Sequence, residues 1–199
     1  LSPNGKYLLT AYQTTFPGGK TESYQQLTDR ASGQVLMESN SINYNWMPQS
    51  NRLYYTRNGL QGKELVSLDP VTKTENILSV NLPDGWFVFS PTEDYLLFSV
   101  SEEGPKKDQD MEEILVPDDR QPGWRNRSFL HKYDLATGVF ERLTYGHNST
   151  SLNDISQDGR YLLFTSHERT LTKRPFSITT LYRMDLQTMQ TEALLKDPF

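Results

Sequence analysis

The chain has 199 residues, a formal charge of −5 and no cysteine. That length allows one large domain or two small ones, and the missing cysteines exclude disulfides and thiolate metal sites. Apolar residues make up only 35% while aromatics reach 12%, so Tyr, Phe and Trp must supply much of the core, which favours sheet over helix.

The charge is unevenly spread. Glu102 to Asp119 holds eight acids and two lysines, a local balance of −6 that leaves the rest of the chain at +1. A nearly neutral body with one acidic excursion excludes a nucleic-acid binder. No apolar run approaches the length of a membrane span. The chain opens inside a motif, so its true N-terminus, with any targeting segment, is expected upstream.

In chain order, the first phrase is "LSPNGKYLLTA" from Leu1. Asn4-Gly5 suits a tight two-residue turn into an apolar strand. "LTDRASGQVLM" follows from Leu27 and reads as strand, Asp-led turn, strand. The pair then recurs. "WMPQSNRLYYT" from Trp46 precedes "SLDPVTKTENIL" from Ser67. "FSPTEDYLLFSV" from Phe89 precedes "KYDLATGVFERL" from Lys132, and "ISQDGRYLLFTS" from Ile155 precedes "RMDLQTMQTEAL" from Arg183. Ser50-Asn51, Glu93-Asp94 and Asp158-Gly159 occupy the turn slot of Asn4-Gly5. Asp29, Asp69, Asp134 and Asp185 each stand three residues before Ser32, Thr72, Thr137 or Thr188. An Asp there accepts backbone N–H bonds within its own turn, which accounts for it without a ligand.

The units begin near residues 1, 46, 89 and 155. The third is lengthened by an insertion at about 102–128, and without about 23 residues of it the period stays in the low forties, that of a four-stranded propeller blade. The runs "YLLTA", "LYYT", "YLLFSV" and "YLLFTS" are apolar on both faces, as expected of strands sandwiched between neighbouring blades. No stretch keeps a 3.6-residue apolar period. The predicted fold is therefore all-β: a β-propeller of four-stranded antiparallel blades, with about four units here that either close as a small propeller or, as preferred because neither end shows a pairing strand to complete a ring, form part of a larger one.

Candidate sites are sparse. The insertion carries a short apolar patch, Ile114 to Val116, and a basic aromatic end in which Trp124 lies between Arg120 and the pair Arg125 and Arg127. That mixture suits a binding surface; the plainer alternative is that the arginines pair with nearby acids and Trp124 covers a blade edge. Asp108, Asp110 and Glu112 alternate as in a calcium loop, but Glu113 replaces the required Gly and Asp119 the final Glu. His131, His147 and His167 have no metal-ligand spacing, and no G-x-S-x-G elbow or phosphate-cradling Gly loop occurs. No catalytic residue, metal ligand or cofactor is predicted in this chain. Sequons at Asn126 and Asn148 matter only in a eukaryotic secretory setting.

The phrases "LSPNGKYLL", "FSPTEDYLLFS" and "ISQDGRYLLF", the D-x-x-T/S-G turns and the ending "ERLTYG" resemble the propeller repeats of TolB-like proteins and of prolyl oligopeptidase-family serine peptidases of the dipeptidyl peptidase IV kind. The segment "DDRQPGWRNRSFLHKYDLATGVFERLTYG" looks more like the peptidase propellers of secreted or periplasmic oligopeptidases. The resemblance covers almost the whole chain. It implies a non-catalytic propeller that gates or positions peptide substrates beside a separate C-terminal α/β-hydrolase domain, in a periplasmic or secreted protein. The pairs Glu102-Glu103 and Glu112-Glu113 lack the surrounding motif with which dipeptidyl peptidases hold a substrate amino terminus, so that role is not transferred. Two other readings stand beside it: a stand-alone TolB-like module binding a protein partner in the cell envelope, and a propeller glycosidase with paired carboxylates across a pocket.

Overall fold

The computed structural model describes residues 1–104, 125–169, 174 and 176–196, and every regular element among them is a strand. The chain divides into two compact units, Leu1–Asp84 and Gly85–Phe199. In the first, β1 (Tyr7–Thr15), β2 (Thr21–Asp29) and β3 (Val35–Ser39) form one antiparallel sheet. Strands β4 (Asn45–Trp46), β5 (Leu53–Asn58), β6 (Lys63–Leu68) and β7 (Glu75–Ser79) form the next. In the second unit, β8 (Trp86–Phe89), β9 (Tyr95–Glu102), β10 (Arg127–Asp134) and β11 (Phe140–Arg142) make a third sheet. Strands β12 (Ser149–Ile155), β13 (Tyr161–Arg169), β14 (Ser177–Asp185) and β15 (Thr191–Lys196) make the fourth. Each sheet is an antiparallel meander, the form expected of a blade. The first has three strands instead of four, because residues 1–6 form its opening loop.

The repeated phrases are the turns of these meanders. The opening loop is longer than the two-residue turn expected. Ser2 N donates to Tyr7 O, Met47 N to Arg52 O, Ser90 N to Tyr95 O and Ser156 N to Tyr161 O, leaving four residues between the closing partners. Inside three of them a shorter bond runs back to the first residue, from Gly5, Glu93 and Gly159. Those three have φ near +60 to +70°, as does Asn51 in the second loop. The slot of Asn4-Gly5 therefore belongs to Thr92-Glu93, not to Glu93-Asp94. Ser2, Ser90 and Ser156 explain why this letter recurs: each hydroxyl accepts the N–H of Tyr7, Tyr95 or Tyr161. Met47 replaces that serine in the second blade.

The Asp-led turns form as the sequence predicts. One carboxylate oxygen of Asp29, Asp69, Asp134 and Asp185 accepts the N–H groups two and three residues on, at 2.8–3.3 Å. The same geometry turns the chain at Gly33, Lys73, Gly138 and Met189, all at positive φ. The two turns of a blade are then tied together. Arg30 N donates to Lys6 O, Leu135 N to Asp94 O and Leu186 N to Arg160 O. Pro70 occupies that position in the second blade and has no N–H to give. There the Arg52 guanidinium bridges instead, reaching the carbonyls of Ser67 and Thr74.

Burial departs from the expectation of uniformly double-covered strands. It holds for β9, where Leu96, Leu97 and Phe98 are all fully buried. It fails for β1, where Leu8 is 38% exposed on a face shared with Thr10 and Tyr12. In β13, Leu162 and Phe164 are buried while Leu163 is half-buried. Each unit has its own core. Leu27, Leu53, Tyr55, Val66 and Leu68 pack together in the first. Tyr95, Leu97, Leu130, Leu162, Phe164 and Met184 pack together in the second.

Candidate functional site

The β9–β10 connection leaves the third sheet at Gly104 and returns at Arg125. Of the four residues singled out from the sequence, Arg120 and Trp124 lie outside the described residues, as does the apolar patch at Ile114. Arg125 and Arg127 are described. Arg125 is exposed and packed so closely on Gly104 that a Cβ there would lie 2.6 Å from its own. Arg127 begins β10 opposite Glu102. Its Nε donates to the carbonyl of His147, and its Nη1 donates to Asn126 O at 2.9 Å. Burial, and after it the nearby charges of Arg169 and Arg125, lower the Arg127 pKa from its ordinary value.

The carbonyl that Arg127 engages belongs to the β11–β12 loop, residues 143–148, which forms one wall of an open cleft of about 530 Å³. The loop is held from several sides. Leu143 N donates to Leu130 O, and Leu130 N to Thr144 Oγ1. The Thr144 and Thr150 hydroxyls are 2.7 Å apart, and Thr150 Oγ1 donates to Ser128 O at 3.2 Å. Arg142 stacks over Phe129 and Tyr145, with its guanidinium carbon 3.7 and 5.0 Å from the ring centroids. Its Nη1 meets Glu102 at 2.7 Å and its Nε donates to Thr144 O. The opposite wall is the inner face of the fourth sheet. Phe164 and Tyr182 stack there with centroids 5.4 Å apart, beside Met184. Met189, 40% exposed, and Tyr145, 69% exposed, form the rim. The hydroxyls of Thr144 and Thr150 are satisfied internally, while Ser166 and Thr191 line the cleft beside the aromatic and thioether side chains.

The histidines are not brought together. His131 stacks on Phe140 at 4.9 Å, and burial pushes its pKa down. His167 lies between the hydroxyls of Thr165 and Thr179. His147 sits on the cleft wall. No group of three or more His, Cys, Asp or Glu able to hold a metal occurs among the described residues. One pair of carboxylates does share a partner. Arg57 bridges Glu64 at 2.7 Å and Glu75 at 2.9 Å, while Tyr55 OH donates to Glu75. Burial, and after it the Glu75 bond, push Tyr55 up to about 12. Both acids are matched by the cation between them, which suits a structural bridge.

Arg169, Tyr182 and the two methionines carry no sequence signal of a site. They come from strand positions that only blade packing assembles. Among the described residues, no helix is long and apolar enough to cross a membrane.

By fold the chain is a β-propeller array. No protein-family model matches it, and no curated relative is found by sequence. Among solved structures it is similar to acylaminoacyl peptidase of Pyrococcus horikoshii. The TM-score is 0.64 at 12% identity, over 96% of this chain and 30% of that one. It is also similar to the β-propeller domain of the trilobed protease from Pyrococcus furiosus, a propeller of open velcro topology. There the TM-score is 0.53 at 12% identity, over 96% of this chain and 54% of that one. TolB from Acinetobacter baumannii aligns at a TM-score of 0.46 and 17% identity, over 99% of this chain and 42% of TolB. In each case the chain spans less than two thirds of the structure it matches.

Proposed function

We propose that this chain is part of the non-catalytic propeller of a serine oligopeptidase-like protein, where it positions peptide substrates for a separate hydrolase domain. The observation that carries the reading is the likeness to acylaminoacyl peptidase over 96% of the chain. Arg127, whose Nε donates to the His147 carbonyl on the wall of an open cleft, and the exposed Arg125 two residues before it support the reading. Guanidinium groups present several donors in a fixed fork and suit peptide carbonyls and carboxylates. A periplasmic or secreted location, implied by the sequence resemblance, belongs to the same proposal.

The test is kinetic, in the full-length protein that contains this chain. Arg125→Ala is expected to raise the apparent Michaelis constant for peptide substrates, because it removes binding that ground and transition states share. The 199-residue chain alone is expected to leave aminoacyl and peptidyl chromogenic substrates intact. Turnover by the chain itself, abolished by a serine-directed covalent inhibitor, would overturn the proposal. So would a full-length protein with no peptidase activity, which would favour an interaction module.

A further inference from the structure

The loop between β11 and β12 holds one aromatic ring in place at the rim of an open cleft. The Tyr145 hydroxyl donates to Arg142 O at 2.9 Å, and its ring lies on the Arg142 guanidinium. That guanidinium is itself fixed over Phe129 and by Glu102, which also matches its charge. Leu143 N and His147 O are tied to Leu130 and Arg127, so the loop is held on both sides of the tyrosine in sequence. Yet Tyr145 stays 69% exposed. An aromatic side chain fixed this firmly and left in water has little further freedom to lose when a ligand binds.

The cleft that Tyr145 borders, about 530 Å³, lies within the range of small-ligand sites. Leu143, Phe164 and Met184 line it but are at most 5% exposed, so they offer little surface. Much of the reachable surface belongs to uncommitted polar groups. The His147 imidazole, the Asn148 amide and the hydroxyls of Ser166, Tyr182 and Thr191 line the cleft and make no hydrogen bond with any described residue. Among the described residues, none that lines it is an Asp, Glu, Lys or Arg, although these make up 23% of the chain.

We infer that the cleft is a binding site for a neutral saccharide, with one pyranose ring stacked on Tyr145 and its hydroxyls bonded by Asn148, His147 and Ser166. A sugar ring has an apolar C–H face and a polar edge, and an exposed, fixed tyrosine ring matches the first. The edge needs groups that both donate and accept, as amides and hydroxyls do. Scattered polar side chains on a surface are simply solvated; here five line one concavity beside an immobilised ring. An ionised ligand is disfavoured, because it would lose hydration with no counter-charge on the described cleft wall. A purely apolar side chain would bury those polar groups without partners, a penalty that a hydroxylated ring avoids. The site binds and does not cleave: glycoside hydrolysis ordinarily uses two flanking carboxylates, and the described lining has none. Sugar binding here does not depend on the peptidase reading.

The experiment uses the 199-residue chain with its methionine methyls labelled with carbon-13 for NMR. Met184 and Met189 line the cleft, while Met37 and Met47, in the first unit, are controls. The probes are the neutral disaccharides maltose, cellobiose, lactose and N,N′-diacetylchitobiose. At least one is expected to give saturable shifts of Met184 and Met189 at millimolar concentration, with Met37 and Met47 unmoved. Tyr145→Ala is expected to weaken that binding more than about fivefold, and Tyr145→Phe, which keeps the ring, to retain most of it. Asn148→Ala removes a side chain with no partner among the described residues. It is expected to weaken binding about three- to tenfold, the loss of one hydrogen bond or two, with unchanged stability. The dispersion of the methyl spectra without sugar establishes that each variant is folded. Unmoved Met184 and Met189 methyls with all of these sugars at tens of millimolar would overturn the inference. So would wild-type affinity in a folded Tyr145→Ala or Asn148→Ala variant. Tighter binding of cellobiouronic acid than of cellobiose would refute a neutral site. Tighter binding of the capped dipeptide N-acetyl-phenylalanyl-alanine amide than of any of the sugars would give the cleft to peptide instead. The readout is sugar binding and not peptide hydrolysis, so either reading can fail while the other stands.

Discussion

At the residue scale, a single repeated letter has different consequences in different blades. Leu9, Leu97 and Leu163 occupy equivalent slots after the opening loop, yet only Leu97 is fully buried. Leu97→Ala is expected to cost about 2–5 kcal/mol, since it leaves a cavity between the third and fourth sheets. Leu163→Ala is expected to cost clearly less, because the half-buried site loses less contact and water can fill the gap. Denaturant unfolding of the two variants checks this; equal losses would mean that Leu163 is covered as fully as Leu97. The turn aspartates make a second prediction, about acid. The carboxyls of Asp29, Asp69, Asp134 and Asp185 are all held below their ordinary value of 3.8. The N–H groups of Ser32 and Thr72 lead for Asp29 and Asp69, the Thr137 hydroxyl for Asp134 and the Arg160 guanidinium for Asp185. A depressed folded pKa means the unfolded chain takes up protons first as pH falls. The stabilisation is therefore complete above the ordinary carboxylate range and is lost as pH drops from about 4 through the depressed values. Asp134→Asn and Asp185→Asn are expected to lower stability at neutral pH and to flatten acid unfolding in that window, so that variant and wild type converge at the acid end. Urea midpoints between pH 2 and 6 measure the effect, and parallel curves for wild type and variants would refute it.

At the element scale, the blades are joined through their turns as well as their faces. The Tyr95 hydroxyl is buried and donates to the Gly159 carbonyl at 2.7 Å, linking the opening loop of the fourth sheet to the first residue of β9. Burial pushes its pKa far up, so it stays protonated and keeps donating across the working range. Gly159 has φ +70°, and a Cβ there would sit 2.8 Å from Thr92 Oγ1. Gly159→Ala is thus expected to cost about 1–2 kcal/mol from the left-handed backbone alone, with the Thr92 clash added. Tyr95→Phe is expected to cost about 1 kcal/mol for one lost hydrogen bond. The two changes should combine non-additively, as neighbours do; strict additivity in thermal unfolding would show that the link carries no coupling. This scale also shows what the sequence makes legible. Every turn is a local object whose hydrogen bonds run among residues two to five apart, so Ser2, Asn4, Asp29 and Ser32 can be read as turn chemistry from their spacing. The length of the opening loop was harder to read, since Asn-Gly suits a two-residue turn as well as the four-residue loop observed. Burial is not local. Leu8 and Leu96 follow the same motif tyrosine, but what lies over each is decided by residues far along the chain. The candidate site falls between these cases. Arg125 and Arg127 stand out as a basic cluster beside the insertion, whereas Phe164, Tyr182 and Met184 meet the β11–β12 loop only through strand register and blade packing.

At the scale of the whole molecule, the question is whether the insertion is part of the fold or an excursion from it. The described flanks are closed without it. Glu102 pairs in register with Arg127, Ser101 and Ser128 hydroxyls lie 3.2 Å apart, and Gly104 N donates to Asn126 Oδ1 at 2.9 Å. The β9–β10 hairpin therefore carries its own register up to its last pair, and the core beneath it is built from residues on either side. Replacing Lys106 to Gln121 with a short Gly-Ser link changes loop-closure entropy by only about 1 kcal/mol, because that term grows with the logarithm of length. The shortened chain is expected to unfold cooperatively within about 1 kcal/mol of the parent and to keep the Arg127–His147 bond. Removing the stretch also deletes most of the local acidic excess, since six of its eight acids fall within the replaced segment. A loss of several kcal/mol in stability would instead make the insertion an integral part of the third blade.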